Sequence, residues 1–205
     1  MSFQPLSSAS SRRGLVLGML GAAVLAATAC QKAPPTFASM DLTGAEYGRD
    51  FSLQDPDGRT RTLADFRGKA VMLFFGFTQC PDACPTALAR AAEVRRLLGP
   101  QGARLQVIFV TIDPERDTAA VLKEYTHAFD PDFLGLRADL PGTAAVAKEF
   151  KVHYQKVPTG SSYTMDHTAF TYVLDPQGRL RLAMRHELSA QDAARDVGLL
   201  LSQAG

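Results

Sequence analysis

From Ala70 to Phe77 the chain reads Ala-Val-Met-Leu-Phe-Phe-Gly-Phe without a polar residue, and Leu105 to Ile112 is nearly as apolar. Runs of this length and composition predict strands buried on both faces, at the centre of a sheet. Pro85 to Leu98 changes period: Ala87, Leu88, Ala91, Val94, Leu97 and Leu98 form a helical stripe, and Gly99-Pro100 stops it. Further helices are predicted over 117–129, over 141–150, which carries Ala145, Val146 and Phe150, and over 189–201 with Ser189 as N-cap. Asp55-Pro-Asp-Gly58 and Asp175-Pro-Gln-Gly178 are turn signals. The first predicts a hairpin between Phe51–Leu53 and Thr60–Leu63, the second a hairpin between Ala169–Leu174 and Leu180–Met184. The polar stretch 151–168, with Pro158-Thr-Gly160-Ser-Ser162, is expected as a long loop, and loops of that length in compact domains are usually functional.

Strand, helix, strand, helix, hairpin and final helix is the order of an α/β thioredoxin-like fold. Its mixed central sheet is flanked by helices, here with an N-terminal hairpin and an inserted helix and loop. The 205 residues suffice for one such domain and a leader.

The leader has its own pattern. Arg12-Arg13 precede an apolar run from Gly14 to Ala29, and Cys30 follows. A basic start, a short apolar stretch and small residues before a cysteine describe an export signal, and the run is shorter than the roughly 20 residues of a spanning helix. Ala27-Thr28-Ala29-Cys30 is similar to a bacterial lipobox, with Ala27 where Leu is usual. Ser11 to Val16 resembles a twin-arginine motif, so both export routes stay open. The expected organisation is export signal 1–30, tether 31–46 and folded domain 47–205. The product would be a monomer on the outer face of a membrane, held by an N-terminal lipid or anchor.

With 22 basic against 21 acidic residues and no basic cluster, nucleic acid is excluded as a partner. Export makes the remaining cysteines, Cys80 and Cys84, candidates for a disulfide. Their position, where a central strand meets a helix, suggests more. The helix is expected to start at Pro85, with Cys84 as cap, because proline fits the first helical position. The positive end of the helix dipole favours thiolate, which is both nucleophile and metal ligand. Three intervening residues allow a disulfide but also let two sulfurs surround one ion.

Phe75-Gly-Phe-Thr-Gln-Cys-Pro-Asp-Ala-Cys-Pro-Thr86 resembles the signature of the Sco/SenC proteins, copper chaperones of cytochrome c oxidase assembly. Val110 to Thr118 and Met165 to Gly178 are similar to two further segments of that family, in order and in register. The resemblance implies a thioredoxin fold that binds one copper through Cys80, Cys84 and His167, with a copper-binding oxidase subunit as partner. The donor chemistry agrees: two soft thiolates and an imidazole suit Cu(I) and accept Cu(II) with an added oxygen ligand. Structural zinc would want a fourth protein ligand.

His167 is expected at the mouth of the strand 169–174, whereas His127, His153 and His186 read as surface or capping residues. Asp113 is a candidate for the extra oxygen or for a hydrogen bond from a ligand, with a turn role as the alternative, and Asp166 is a weaker one. The same Cys80 and Cys84 would serve a thiol–disulfide reductase that keeps a partner's cysteines reduced. A peroxidatic site wants Thr three and Pro seven residues before its cysteine. Phe77 and Leu73 hold those places for Cys80, and Pro81 and Phe77 for Cys84, so a peroxidase is disfavoured.

Overall fold

The computed structural model describes Met1 and residues 36–203, so the export signal and the first part of the tether lie outside the described residues. The chain divides into Met1–Thr36 and Phe37–Gly205, and the second unit carries the fold. Its first half contains β1 (Met40–Asp41), β2 (Leu53–Gln54), β3 (Thr60–Arg61), β4 (Ala70–Gly76), helix α1 (Ala83–Leu97) and β5 (Leu105–Thr111). Then come α2 (Ala119–His127), β6 (Leu134–Leu136), α3 (Leu140–Glu149), β7 (Tyr154–Thr159), β8 (Ser162–His167), β9 (Thr171–Leu174), β10 (Leu180–Met184) and α4 (Ala190–Ser202).

Six strands form one sheet in the order β1-β10-β9-β4-β5-β6. β4, β5 and β6 are parallel, and β9, β10 and β1 continue the other side antiparallel. The apolar runs predicted as central strands are central: Ala70 pairs with Leu105 and Gly76 with Thr111, and every residue of β4 is buried. Each fully buried large apolar side chain contributes about 1.5–3 kcal/mol relative to exposure. Met72, Leu73, Phe75, Ile108 and Phe109, all at 2% exposure or less, therefore make β4–β5 the core of the domain. Alternation along β4 sends Phe75 to one face, against Phe150 and Tyr172. Phe74 and Gly76 face the other side, where the cysteines lie. This is the expected thioredoxin-like α/β arrangement.

The two Asp-Pro-x-Gly turns share one construction. Asp55 Oδ1 accepts from the backbone of Asp57 and Arg59, and Asp175 Oδ1 from that of Gln177 and Arg179. Gly58 and Gly178 supply the positive φ, at 78° and 71°. Ser189 caps α4 as expected, accepting from Asp192 N at 3.1 Å.

Four expectations need correction. The segment from Phe37 to Glu46, read as tether, belongs to the folded unit. Met40 and Asp41 pair with β10, and buried Asp196 accepts from Ser39 N at 2.8 Å and Ser39 Oγ at 2.6 Å. Residues 154–167 are not a loop but an antiparallel hairpin, β7–β8, turning at Gly160 with φ 61°. It forms a sheet of its own. The first hairpin is shorter than expected, with two-residue strands, and Leu63–Phe66 is a 3₁₀ turn. Helix α1 starts at Ala83, not Pro85. The first helical hydrogen bond is Thr86 N to Asp82 O, so Pro85 sits among the initial positions whose N–H has no helical partner anyway. Proline is tolerated there at no cost in hydrogen bonds.

Candidate metal centre

The end of β4 and the start of α1 bring the two cysteines together. Cys80 lies in the connecting loop and is half-buried, while Cys84, in the first turn of α1, has no exposed surface. The sulfurs are not joined. Cys80 Sγ accepts the backbone N–H of Cys84 at 3.4 Å. Asp82, the residue in the N-cap position, accepts from Thr86 Oγ1 at 3.2 Å but from no backbone N–H of the helix, so Cys80 sulfur fills part of the capping role for α1.

The two thiols are electrostatically unequal. A hydrogen bond from the Cys84 thiol holds Cys80 far below the usual thiol range, against the opposing effect of partial burial. Contacts to His167 and to the backbone N–H groups of Asp82 and Cys84 add to the lowering. Cys84 is pushed up by the same contact and by burial. Cys80 is thus the more acidic member of a coupled pair, and buried Cys84 the one that gives up its proton last.

His167 reaches the pair from the last position of β8, not from the mouth of the following strand as expected. Its Nε2 stands 3.9 Å from Cys84 Sγ. Nδ1 lies 3.0 Å from Thr168 O. A carbonyl only accepts, so Nδ1 carries a proton there, and Nε2 is the ring nitrogen that faces the sulfurs. Phe74 and Phe77 lie nearly perpendicular to the imidazole at ring separations of 6.1 and 6.0 Å and so restrict its plane.

One donor atom from each of Cys80, Cys84 and His167 lies within 4.8 Å of the others. Metal bonds of about 2.0–2.3 Å put the donors of a trigonal site about 3.5–4 Å apart, so the observed spacing fits a single ion with little movement. Two sulfurs and one imidazole nitrogen, with no fourth protein donor in the cluster among the described residues, are a copper-type set.

The other candidates stand elsewhere. Asp113 is buried, but its Oδ1 accepts from Tyr163 OH at 2.9 Å and its Oδ2 from Arg116 Nε, so neither oxygen is offered to an ion. Its role is to tie the loop after β5 to the β7–β8 hairpin. Asp166 is exposed, as are His127 and His153, and His186 lies between β10 and α4.

Sequence reasoning passed over several supporting residues. Gly76 is one: a Cβ there would stand 2.6 Å from Cys84 Sγ, so only glycine admits the sulfur against β4. Its signal was a glycine inside an otherwise continuous apolar strand. Asp117 is another, fully buried just ahead of α2. It accepts from Thr78 Oγ1 and Thr111 Oγ1 at 2.6 Å each and from Thr78 N at 3.1 Å. Asp117 therefore pins the start of the cysteine loop to β5. Burial raises its carboxyl pKa, with the threonine hydrogen bonds opposing.

Known proteins are similar to this chain. The SCO1/SenC family model matches residues 39–202. The SCO2-like protein of Rickettsia felis is 38% identical over 137 residues, which are 65% of this chain and 67% of the relative. The mitochondrial SCO2 homologue of Bos taurus is 43% identical over 133 residues, 63% of this chain but only 50% of the bovine protein. The structure of Bradyrhizobium japonicum ScoI with copper bound aligns at TM-score 0.69 and 39% identity, covering 75% of this chain and 99% of ScoI. Yeast Sco1 with copper bound aligns at TM-score 0.67 and 32% identity, covering 75% and 87%. Since the family match runs from the residue before β1 to the last residue of α4, this chain belongs to the SCO1/SenC family.

Proposed function

We propose that this chain is an exported copper metallochaperone that takes one copper ion as cargo and delivers it to, or prepares, a copper centre of cytochrome c oxidase. The observation that carries the reading is the convergence of Cys80 Sγ, Cys84 Sγ and His167 Nε2 within 4.8 Å, with Nδ1 tied away from the ion. Relatives described with copper bound support it, as does a more distant structure described as one of the Sco family of cytochrome c oxidase assembly proteins. Copper coordination displaces the proton that Cys84 holds, because the thiolate is the ligand, so uptake releases a proton. Half-exposed Cys80 gives the cargo a side from which a partner's ligand can enter, and transfer proceeds by ligand exchange. The export signal with Cys30 as a lipid attachment point would keep the domain near a membrane-bound oxidase.

A second reading, thiol–disulfide reductase, draws on the inequality of the sulfurs. Cys80 thiolate would attack a partner disulfide to form a mixed disulfide, and Cys84, on losing its proton, would release the reduced partner and leave a Cys80–Cys84 bond. His167→Ala separates the two readings, since it removes the nitrogen donor and keeps the dithiol. In cells lacking the native protein, the variant is expected to fail to restore oxidase activity while its purified form still reduces a disulfide substrate. Full restoration by His167→Ala would favour the reductase.

A further inference from the structure

The three donors do not share one piece of structure. Cys80 and Cys84 belong to the β4–α1 junction, four residues apart in the chain. His167 arrives on the β7–β8 hairpin, which has no ladder to the six-stranded sheet. The sulfur–sulfur geometry is therefore local, whereas the sulfur–imidazole distance depends on how the hairpin is docked.

A single guanidinium makes much of that docking. Arg116, in the loop after β5, lies 3.8 Å from the centre of the Tyr163 ring of β8 and donates through Nη1 to Tyr163 O at 2.8 Å. The same Nη1 reaches Gln79 Oε1 at 3.1 Å, in the residue next to Cys80. Nε is paired with Asp113, whose other oxygen accepts from Tyr163 OH. The guanidinium also sits 5.9 Å from the ring of Phe77, one of the two rings that flank the imidazole. Arg116 thus touches the cysteine loop, the turn after β5 and the hairpin that bears His167. At 17% side-chain exposure beside a carboxylate at 1%, it is screened from solvent enough for these contacts to be firm. A planar fork that stacks and donates in several directions is a role lysine cannot fill.

Building on the copper reading, we propose that Arg116 is a positioning residue that sets the distance of His167 Nε2 from the sulfurs and so the preference of the site for Cu(II) over Cu(I), without touching the metal. The direction follows from ligand chemistry. Two thiolates satisfy Cu(I), while Cu(II) draws more on nitrogen and oxygen donors, so a displaced imidazole costs Cu(II) far more. Outer partners of metal ligands commonly govern affinity by about 10–100-fold, which is the size of effect expected here.

The test compares the reduced full chain with Arg116→Lys, Tyr163→Leu and His167→Ala, alone and with Arg116→Lys added to His167→Ala. Tyr163→Leu removes the stacking ring from the exposed hairpin and serves if the arginine variant folds poorly. Cu(I) affinity is read by competition, and Cu(II) by thiolate charge-transfer absorption and nitrogen hyperfine coupling. Arg116→Lys is expected to lose Cu(II) affinity about 10–100-fold and the nitrogen coupling, with Cu(I) binding changed less than about threefold. On the His167→Ala background it should change nothing further. Unchanged Cu(II) binding, equal losses for the two oxidation states, or additive losses with His167→Ala would each overturn the proposal. The metal-free protein gives a separate reading: Arg116→Lys should shift the His167 ring proton NMR signals, which are set by the neighbouring Phe74 and Phe77 rings, and unaltered signals would also overturn it. A wild-type chain that binds no copper would instead refute the copper reading and leave the NMR result to decide the positioning role.

Discussion

Adding one methyl group at Gly76 should damage both the fold and the metal site. A Cβ at this position lies 2.6 Å from Cys84 Sγ, 2.9 Å from Phe109 Cε2 and 3.0 Å from Phe74 Cε1. Comfortable contacts between such atoms are about 3.5–4.0 Å, so the sulfur would have to retreat by about 1 Å, and the two rings leave no room for the methyl to tilt away. β4 cannot yield easily either, since it pairs with β5 and β9 on its two sides. Overpacking a dense core by a methyl group costs typically about 1–3 kcal/mol. For a domain of this size that corresponds to a fall of about 2–12 °C in Tm. Moving the sulfur by that much alters the Cys84–His167 separation from its present 3.9 Å and spoils the donor geometry, so copper affinity should drop by at least about tenfold. Calorimetry of the reduced, metal-free Gly76→Ala protein and a copper competition titration measure the two effects. An unchanged Tm together with unchanged affinity would refute the packing of Cys84 against β4.

Other expectations follow from the same geometry. Alkylation of the reduced protein should modify Cys80 first, at a rate nearly flat from pH 8 down to mildly acidic pH, because its lowered pKa keeps the thiolate populated there; a fall approaching 100-fold between pH 8 and 6, about that of an ordinary thiol, would contradict this. Cys84→Ser should lose stable copper binding yet unfold within about 2 kcal/mol of wild type in denaturant titrations, since the replacement nearly preserves volume and no bond between the cysteines supports the core. Asp117→Ala orphans Thr78 N, Thr78 Oγ1 and Thr111 Oγ1, and leaving buried donors unpaired costs about 1–3 kcal/mol each in the worst case. A loss of at least about 2 kcal/mol by urea unfolding is expected, and a loss near zero would show that water replaces the carboxylate.

The parts of the fold legible in the sequence were those with a strong one-dimensional signature. β4 and β5 announced themselves as apolar runs, α1 by its stripe, α4 by its N-cap, and the Asp-Pro-x-Gly turns by residue types that their geometry demands. β7–β8 was missed because its residues are mostly exposed or half-buried, with only Met165 buried, so no alternation marks it. Tyr154, Val157, Tyr163 and Thr164 around a Thr-Gly-Ser-Ser turn were the signal available. β6 has three residues, too few to show a period, and β1 has two. β1 is held by its pairing with β10 and, at Ser39 just ahead of it, by Asp196, both far along the chain, which no local pattern reveals. Cys80, Cys84 and His167 were legible as chemistry, but their surroundings were not. Gly76, Asp117 and Arg116 act through side chains that meet only in three dimensions.

X-ray absorption at the copper edge, on the reduced chain loaded to saturation with Cu(I) or Cu(II), tests the central claim most directly. The account predicts one copper per chain with two sulfur neighbours and one imidazole nitrogen in the Cu(II) form, and loss of the copper with either Cys80→Ala or Cys84→Ala. A stoichiometry above one that survives Cys80→Ala, or a copper surrounded only by nitrogen and oxygen, would contradict it.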